Sequence, residues 1–182
     1  MSEIGVRFRR LAAGFTDRVE AVPDNRWESP SPCEGWTARD VVRHMVDNCT
    51  MFFGLVEREL APGPSVEQDP VAAWASARDA MQAGLDDPEV AGLEYEGMFA
   101  RSTFETSVDR FLGWDLVVHA WDLARAAGLD ERLDPELVHE VFEATKPMGD
   151  VLRSSGAFGP KLDPPEGADE QATLLAFLGR KV

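Results

Sequence analysis

Phe111-Leu112-Gly113-Trp114-Asp115-Leu116-Val117-Val118-His119-Ala120-Trp121-Asp122-Leu123 is the stretch whose reading decides the fold. Between Phe111 and Ala124 only Asp115, His119 and Asp122 are strongly polar. At about 100° per residue, these three fall within roughly 60° of one another on a helix. Phe111, Leu112 and Ala126 lie in or beside the same sector. The polar trio is therefore set inside an apolar face of a helix that is apolar nearly all round, which predicts burial. A buried carboxylate without a partner is neutralised or costs several kcal/mol. Asp115 needs a partner, and His119 lies one turn away. A carboxylate and an imidazole at i and i+4 can point at one centre, as paired ligands on a single helix do when they clasp a metal ion.

Helical periodicity extends outward from this segment. The helix carrying it is expected over about Thr103 to Ala127, closed by Gly128. A first helix covers about Ile4 to Ala21, with Val6, Leu11, Phe15 and Val19 as its apolar stripe. A second begins at Thr37, whose hydroxyl can cap the first turn with Asp40 as capping-box partner. Its stripe is Val41, Val42, Met45, Cys49, Phe52, Phe53 and Val56, and it should stop near Leu60 before Ala61-Pro62-Gly63-Pro64. A third fits Pro70 to Leu85. Asp86 to Arg101 reads as a loop with a short extended piece around Leu93 to Phe99. A fifth helix, capped by Asp134, runs to about Arg153. Ser154 to Gly167 is rich in Gly and Pro, and a short last helix covers about Asp169 to Leu178. Sustained strand alternation and internal repeats are missing. The expected architecture is all-α: one domain over residues 1–182, a four-helix bundle with an extra short C-terminal helix.

One helix supplies two ligands, so a third must come from elsewhere. Apart from His119 the chain has two histidines, His44 and His139. His44 sits at the edge of the second helix's apolar stripe beside Asn48, where it can reach a site between helices. His139 has Glu136 and Glu143 for neighbours and reads as exposed. The candidate metal ligands are therefore His44, Asp115 and His119. Asp122 reads better as an anchor for a loop backbone, or as the group that holds His44 or His119 in one tautomer, than as a ligand. The spacing leaves other readings open: Asp115 and His119 as a buried hydrogen-bonded pair, and His44 as a partly exposed polar residue.

Composition narrows the function classes. A formal net charge of -15 argues against nucleic-acid binding. The basic trio Arg7, Arg9 and Arg10 reads as solvated positions on the first helix. Apolar runs stay short of the roughly 20 residues that cross a bilayer. MSEIGVRFRR lacks the apolar core of a signal peptide, so a cytoplasmic location is expected. Cys33 and Cys49 do not make a disulfide framework.

Ser31-Pro32-Cys33-Glu34-Gly35-Trp36-Thr37-Ala38-Arg39-Asp40-Val41-Val42-Arg43-His44 resembles the opening of the second helix in the mycothiol-dependent maleylpyruvate isomerase N-terminal family, within the DinB-like superfamily of metal-binding four-helix bundles. Asp115-Leu116-Val117-Val118-His119-Ala120-Trp121-Asp122-Leu123-Ala124 resembles the fourth-helix motif of the same family. The tail from Phe158-Gly159-Pro160 through Ala168 to Leu178 is similar to the ending of short actinobacterial members, most of them uncharacterised. The resemblance covers essentially the whole chain. It implies an up-down-down-up bundle with a long crossover. It also implies a divalent metal, zinc first and nickel second, held by His44 and His119. At position 115 the isomerases carry a glutamate and other DinB-like proteins a histidine; this chain carries the shorter Asp115.

By the same resemblance, a low-molecular-weight thiol such as mycothiol is the expected cofactor. The expected activity is an S-transferase or isomerase reaction on a small electrophile. The alternatives are a metal- or small-ligand-binding stress or regulatory bundle without turnover, and a structural domain without metal. The isomerases have a further C-terminal domain that supplies a substrate-binding arginine. This chain ends soon after its bundle, so maleylpyruvate is not the expected substrate. A homodimer is the expected assembly for bundles of this kind.

Overall fold

The computed structural model describes residues 2–97, 100–154 and 159–182. Its long helices are α1 (Glu3–Ala21), α2 (Ala38–Leu55), α3 (Pro70–Asp86) and α6 (Gly113–Ala127). Shorter ones are α4 (Pro88–Ala91), α5 (Phe104–Ser107), α7 (Pro135–Thr145), α8 (Gly149–Ser154) and α9 (Glu170–Phe177). Among the described residues no helix is long and apolar enough to cross a membrane.

The caps that set the helix starts are side chains. Ser2 accepts from Gly5 N–H to open α1, and Asp69 accepts from Ala72 N–H to open α3. Thr37 and Asp40 form the expected capping box of α2: Asp40 N–H donates to Thr37 Oγ1 at 3.2 Å, and Thr37 N–H donates to Asp40 Oδ2 at 2.8 Å. The end of α2 differs from expectation. It closes at Leu55, well before the Pro62 breaker. Glu57 takes a left-handed φ of 57°, and the Glu57 and Arg58 N–H groups turn back to Gly54 and Phe53 carbonyls. This cap geometry ordinarily recruits glycine, and Glu57 gives no such signal.

The four long helices form a ring in which α1 packs on α3 and α6, and α2 packs on α3 and α6. Contacts along each pair fix the directions. Gly5 at the start of α1 meets Asp86 and Gln82 at the end of α3, so these helices are antiparallel. Leu11 meets Gly113, and Arg26, just beyond α1, reaches the Ala126 and Ala127 carbonyls, so α1 and α6 are parallel. Arg39 reaches the Val66 carbonyl just before α3, and Phe53 meets Gly84 near its end, so α2 and α3 are parallel. The result is the up-down-down-up order. Because α2 and α3 run the same way, segment 56–69 must travel back along an 18-residue helix, about 27 Å long.

The core lies inside this ring. Phe15 meets Trp74 edge-on at 4.9 Å, and the Trp74 indole donates to Thr16 at 2.9 Å. The basic trio of α1 is not simply solvated. Arg7 pairs with Asp109 and Glu140, Arg9 with Asp86, and Arg10 with Asp134 and Glu136, which ties α1 to three other segments.

Three other expectations shift. The extended piece is strand β1 (Glu94–Glu96), paired antiparallel with β2 (Arg101–Thr103), Tyr95 opposite Ser102. Three-residue strands are too short to show alternation; Phe99, the expected end of the piece, lies outside the described residues. The expected Thr103–Ala127 helix follows one path but widens into a π-turn at Val108–Leu112, with Thr103 as strand end and cap. The fifth helix breaks at Lys146–Met148, where Pro147 supplies no N–H, and resumes as α8. Part of the Ser154–Gly167 segment, including Phe158 of the family-like tail, also lies outside the described residues. The C-terminal α9 packs on α7, with Phe142 and Phe177 edge-to-face at 5.8 Å, and this delivers Leu178–Arg180 to the edge of α6.

Candidate metal centre

The centre forms where α2 and α6 run antiparallel. His44 and Asn48 are one turn apart on α2; Asp115 and His119 are one turn apart on α6. Antiparallel packing puts each pair opposite the other. One ligand atom each from His44, Asp115 and His119 lies within a common 4.8 Å. His44 Nε2 stands 3.6 Å from Asp115 Oδ2. Asn48 Nδ2 donates to Asp115 Oδ2 at 2.9 Å and lies 3.0 Å from His44 Nε2. The two imidazoles meet edge-on at 4.8 Å, and Trp36 lies across both, 4.9 Å from His44 and 6.0 Å from His119.

Behind His119 the polar contacts continue inward. His119 Nδ1 is 2.9 Å from Asp122 Oδ2, and Asp122 is fully buried. Arg180 grips the same carboxylate from the C-terminal tail, Nη2 to Oδ2 at 2.9 Å and Nε to Oδ1 at 3.3 Å. The Cys33 thiol donates to Asp122 Oδ2 at 3.4 Å, and Arg180 Nη2 is 3.6 Å from its sulfur. Burial alone would raise the Asp122 carboxyl, but the His119 hydrogen bond and the Arg180 charge hold it down at about 2. For Arg180 burial acts against the charge, and Asp122 outweighs it and raises the guanidinium further. Burial, reinforced by the Asp122 charge, pushes the Cys33 thiol up to about 12. A second close group, Cys33, His119 and Asp122, thus consists of a protonated thiol and a carboxylate already neutralised by Arg180.

The predicted burial of the α6 trio holds for two of its members. His119 and Asp122 are 6% and 0% exposed, whereas the Asp115 side chain is 36% exposed. Asp115 opens instead onto a cavity of about 530 Å³ lined by residues of α2, α6, the Pro32–Trp36 loop and the tail. Asp115 and His119 are not each other's hydrogen-bond partners among the described residues: Asp115 faces Asn48 and His44, and His119 faces Asp122. Asp122 bonds to His119 Nδ1 and to Arg180. His139 is exposed and paired with Glu170. Arg180, Cys33 and Trp36 went unassigned from sequence. Arg180 is a single cation behind the apolar run Leu174–Leu178, and nothing local links it to position 122.

The donor set fits a divalent ion. The 3.6 Å between His44 Nε2 and Asp115 Oδ2 is close to the roughly 3.4 Å separating two ligand atoms about 2.1 Å from one tetrahedral ion. With Nδ1 of His119 committed to Asp122, Nε2 is the nitrogen left for a ligand, the usual carboxylate–histidine arrangement at metal sites.

Fold and site together define a class: an up-down-down-up bundle with a His/Asp/His centre between its second and fourth long helices. The chain belongs to the mycothiol maleylpyruvate isomerase N-terminal domain family, whose model matches residues 8–124. It is similar to two uncharacterized proteins of Mycobacterium tuberculosis, from strains CDC 1551 / Oshkosh and ATCC 25618 / H37Rv, each 30% identical over 179 residues and 96% of both chains. No solved structure matches.

Proposed function

We propose that the chain holds one divalent ion, zinc before nickel, through His44, Asp115 and His119, and uses it to present a low-molecular-weight thiol of the mycothiol type to a small electrophile. The observation that carries this reading is the convergence of the three side chains at the wall of a cavity large enough for a ligand, with His119 oriented from behind by Asp122. When bound, the ion supplies a Lewis acid that favours the thiolate form of the thiol.

The protein's own groups do the rest. Asp122 accepts from His119 Nδ1–H, which fixes the tautomer of the neutral ring and leaves the Nε2 lone pair for a ligand. Asn48 holds Asp115 toward His44. Trp36 shields the imidazoles on one side. The thiol proton leaves to water on the side where His44 and Asp115 are 30% and 36% exposed. The thiolate sulfur then bonds to the electrophilic carbon, and the leaving group departs with the electrons of the broken bond. Cys33 and Cys49 are unpaired, which suits the reducing cytoplasm where such thiols serve.

The test uses protein purified without a histidine tag. Elemental analysis should find about one ion per chain, as a single three-ligand site requires. Cobalt-substituted protein titrated with mycothiol should develop a thiolate-to-cobalt charge-transfer band, and His44→Ala and His119→Ala should abolish both signals. Metal below stoichiometry, with melting unchanged by chelator, refutes the reading. Metal and thiol uptake without conjugation of any electrophile would favour a ligand-binding role without turnover.

A further inference from the structure

The cavity beside the centre has an unusual charge balance. Arg180 is the sole lysine or arginine among its described lining residues, and both its interactions with Asp122 are made at a fully buried carboxylate. Glu34 and Asp115 also line the space, in a chain of net charge -15. Much of the remaining lining is apolar: Met51, Phe52, Phe111, Trp114 and Val118, with Phe111 and Trp114 meeting edge-on at 5.6 Å.

We infer that the apolar wall of this cavity takes the uncharged aromatic or alkyl body of the electrophile, and that without the ion the cavity rejects carboxylates. The inference rests on reading the cavity as the substrate site. In the metal-free protein an entering carboxylate would lose its hydration without gaining a cation, because Arg180 is consumed by Asp122, and Asp115 and Glu34 would repel it. An apolar ring loses nothing comparable and covers aromatic surface. Met51 and Trp114 set the specificity, one at the exposed rim and the other in the partly buried wall.

A matched pair of probes separates charge from shape. Binding of 2-naphthamide and 2-naphthoate to the full chain is followed by tryptophan fluorescence at neutral pH, in metal-free and zinc-loaded protein. In metal-free protein the amide should bind about tenfold or more tightly than the carboxylate. Trp114→Ala should weaken the amide about tenfold with helicity by circular dichroism unchanged. Met51→Lys, at an exposed position that does not threaten folding, should improve naphthoate about tenfold. Naphthoate binding as tightly as naphthamide in the unaltered metal-free chain overturns the inference, and so does failure of both to bind at millimolar concentration. Failure of zinc uptake alone overturns the proposed metal site and leaves the preference measured in metal-free protein standing.

Discussion

Replacing Asp122 by Asn removes one charge from the most buried polar position of the site. The carboxylate has no exposed surface and bonds to His119, Arg180 and Cys33. The amide has nearly the same volume, so packing is kept, but the Arg180 charge, with its side chain 12% exposed, loses its counter-charge. Removing one partner of a buried ion pair costs about 3–5 kcal/mol. For a chain of this size that corresponds to a fall in Tm of about 6–20 °C.

The effect also carries a pH signature. The folded Asp122 carboxyl titrates at about 2, below its ordinary 3.8, so the unfolded chain binds a proton more readily as pH falls. The Asp122 contribution is complete above pH 3.8 and declines as pH drops toward 2, by about 2 kcal/mol. Urea unfolding of both proteins, from neutral pH down to 2, should show their stability gap narrowing over that interval. A gap under about 1 kcal/mol at neutral pH, or one that stays constant to pH 2, would refute the account of Asp122 as a charge held by Arg180 and His119.

Other consequences can be checked separately. Cys33, with its thiol raised to about 12, should react with iodoacetamide far more slowly than free cysteine; in Asp122→Asn the repelling charge is gone while Arg180 remains, and mass spectrometry should show labelling about tenfold faster. His44→Ala removes a side chain that is 30% exposed, so zinc uptake should vanish while stability falls by less than about 1 kcal/mol in chemical denaturation. Cys33→Ser should retain full zinc stoichiometry by elemental analysis, since its sulfur belongs to the group already closed by Arg180. Trp74→Phe deletes the indole N–H bonded to Thr16 in the core and should cost about 1–3 kcal/mol in the same unfolding assay.

Much of the architecture is legible locally because it is decided locally. The Thr37–Asp40 capping box, the stripe from Val41 to Phe53, the Pro70 start of α3, the Asp134 cap and the Gly128 stop all act within a turn or two of chain. Their outcome is readable from residue order and the 3.6-residue period. So was the placement of Asp115, His119 and Asp122 within one sector of a single helix, and the reading of His44, rather than His139, as the histidine that can reach them.

What tertiary structure decided depends on contacts between residues distant in sequence. Helical periodicity does not say that α2 and α6 pass antiparallel, which only the family resemblance implied and which sets His44 and Asn48 opposite His119 and Asp115. Helix spacing treated Asp115 and Asp122 alike, yet one opens on a cavity and the other is sealed, because the chain's last turn returns Arg180 across 58 residues to cover only Asp122. The α2 stop before Glu57 was illegible because a glutamate stands where the backbone ordinarily asks for glycine. Periodicity identifies which face of a helix is polar; burial and partners follow from what packs on that face, and that belongs to the assembled bundle.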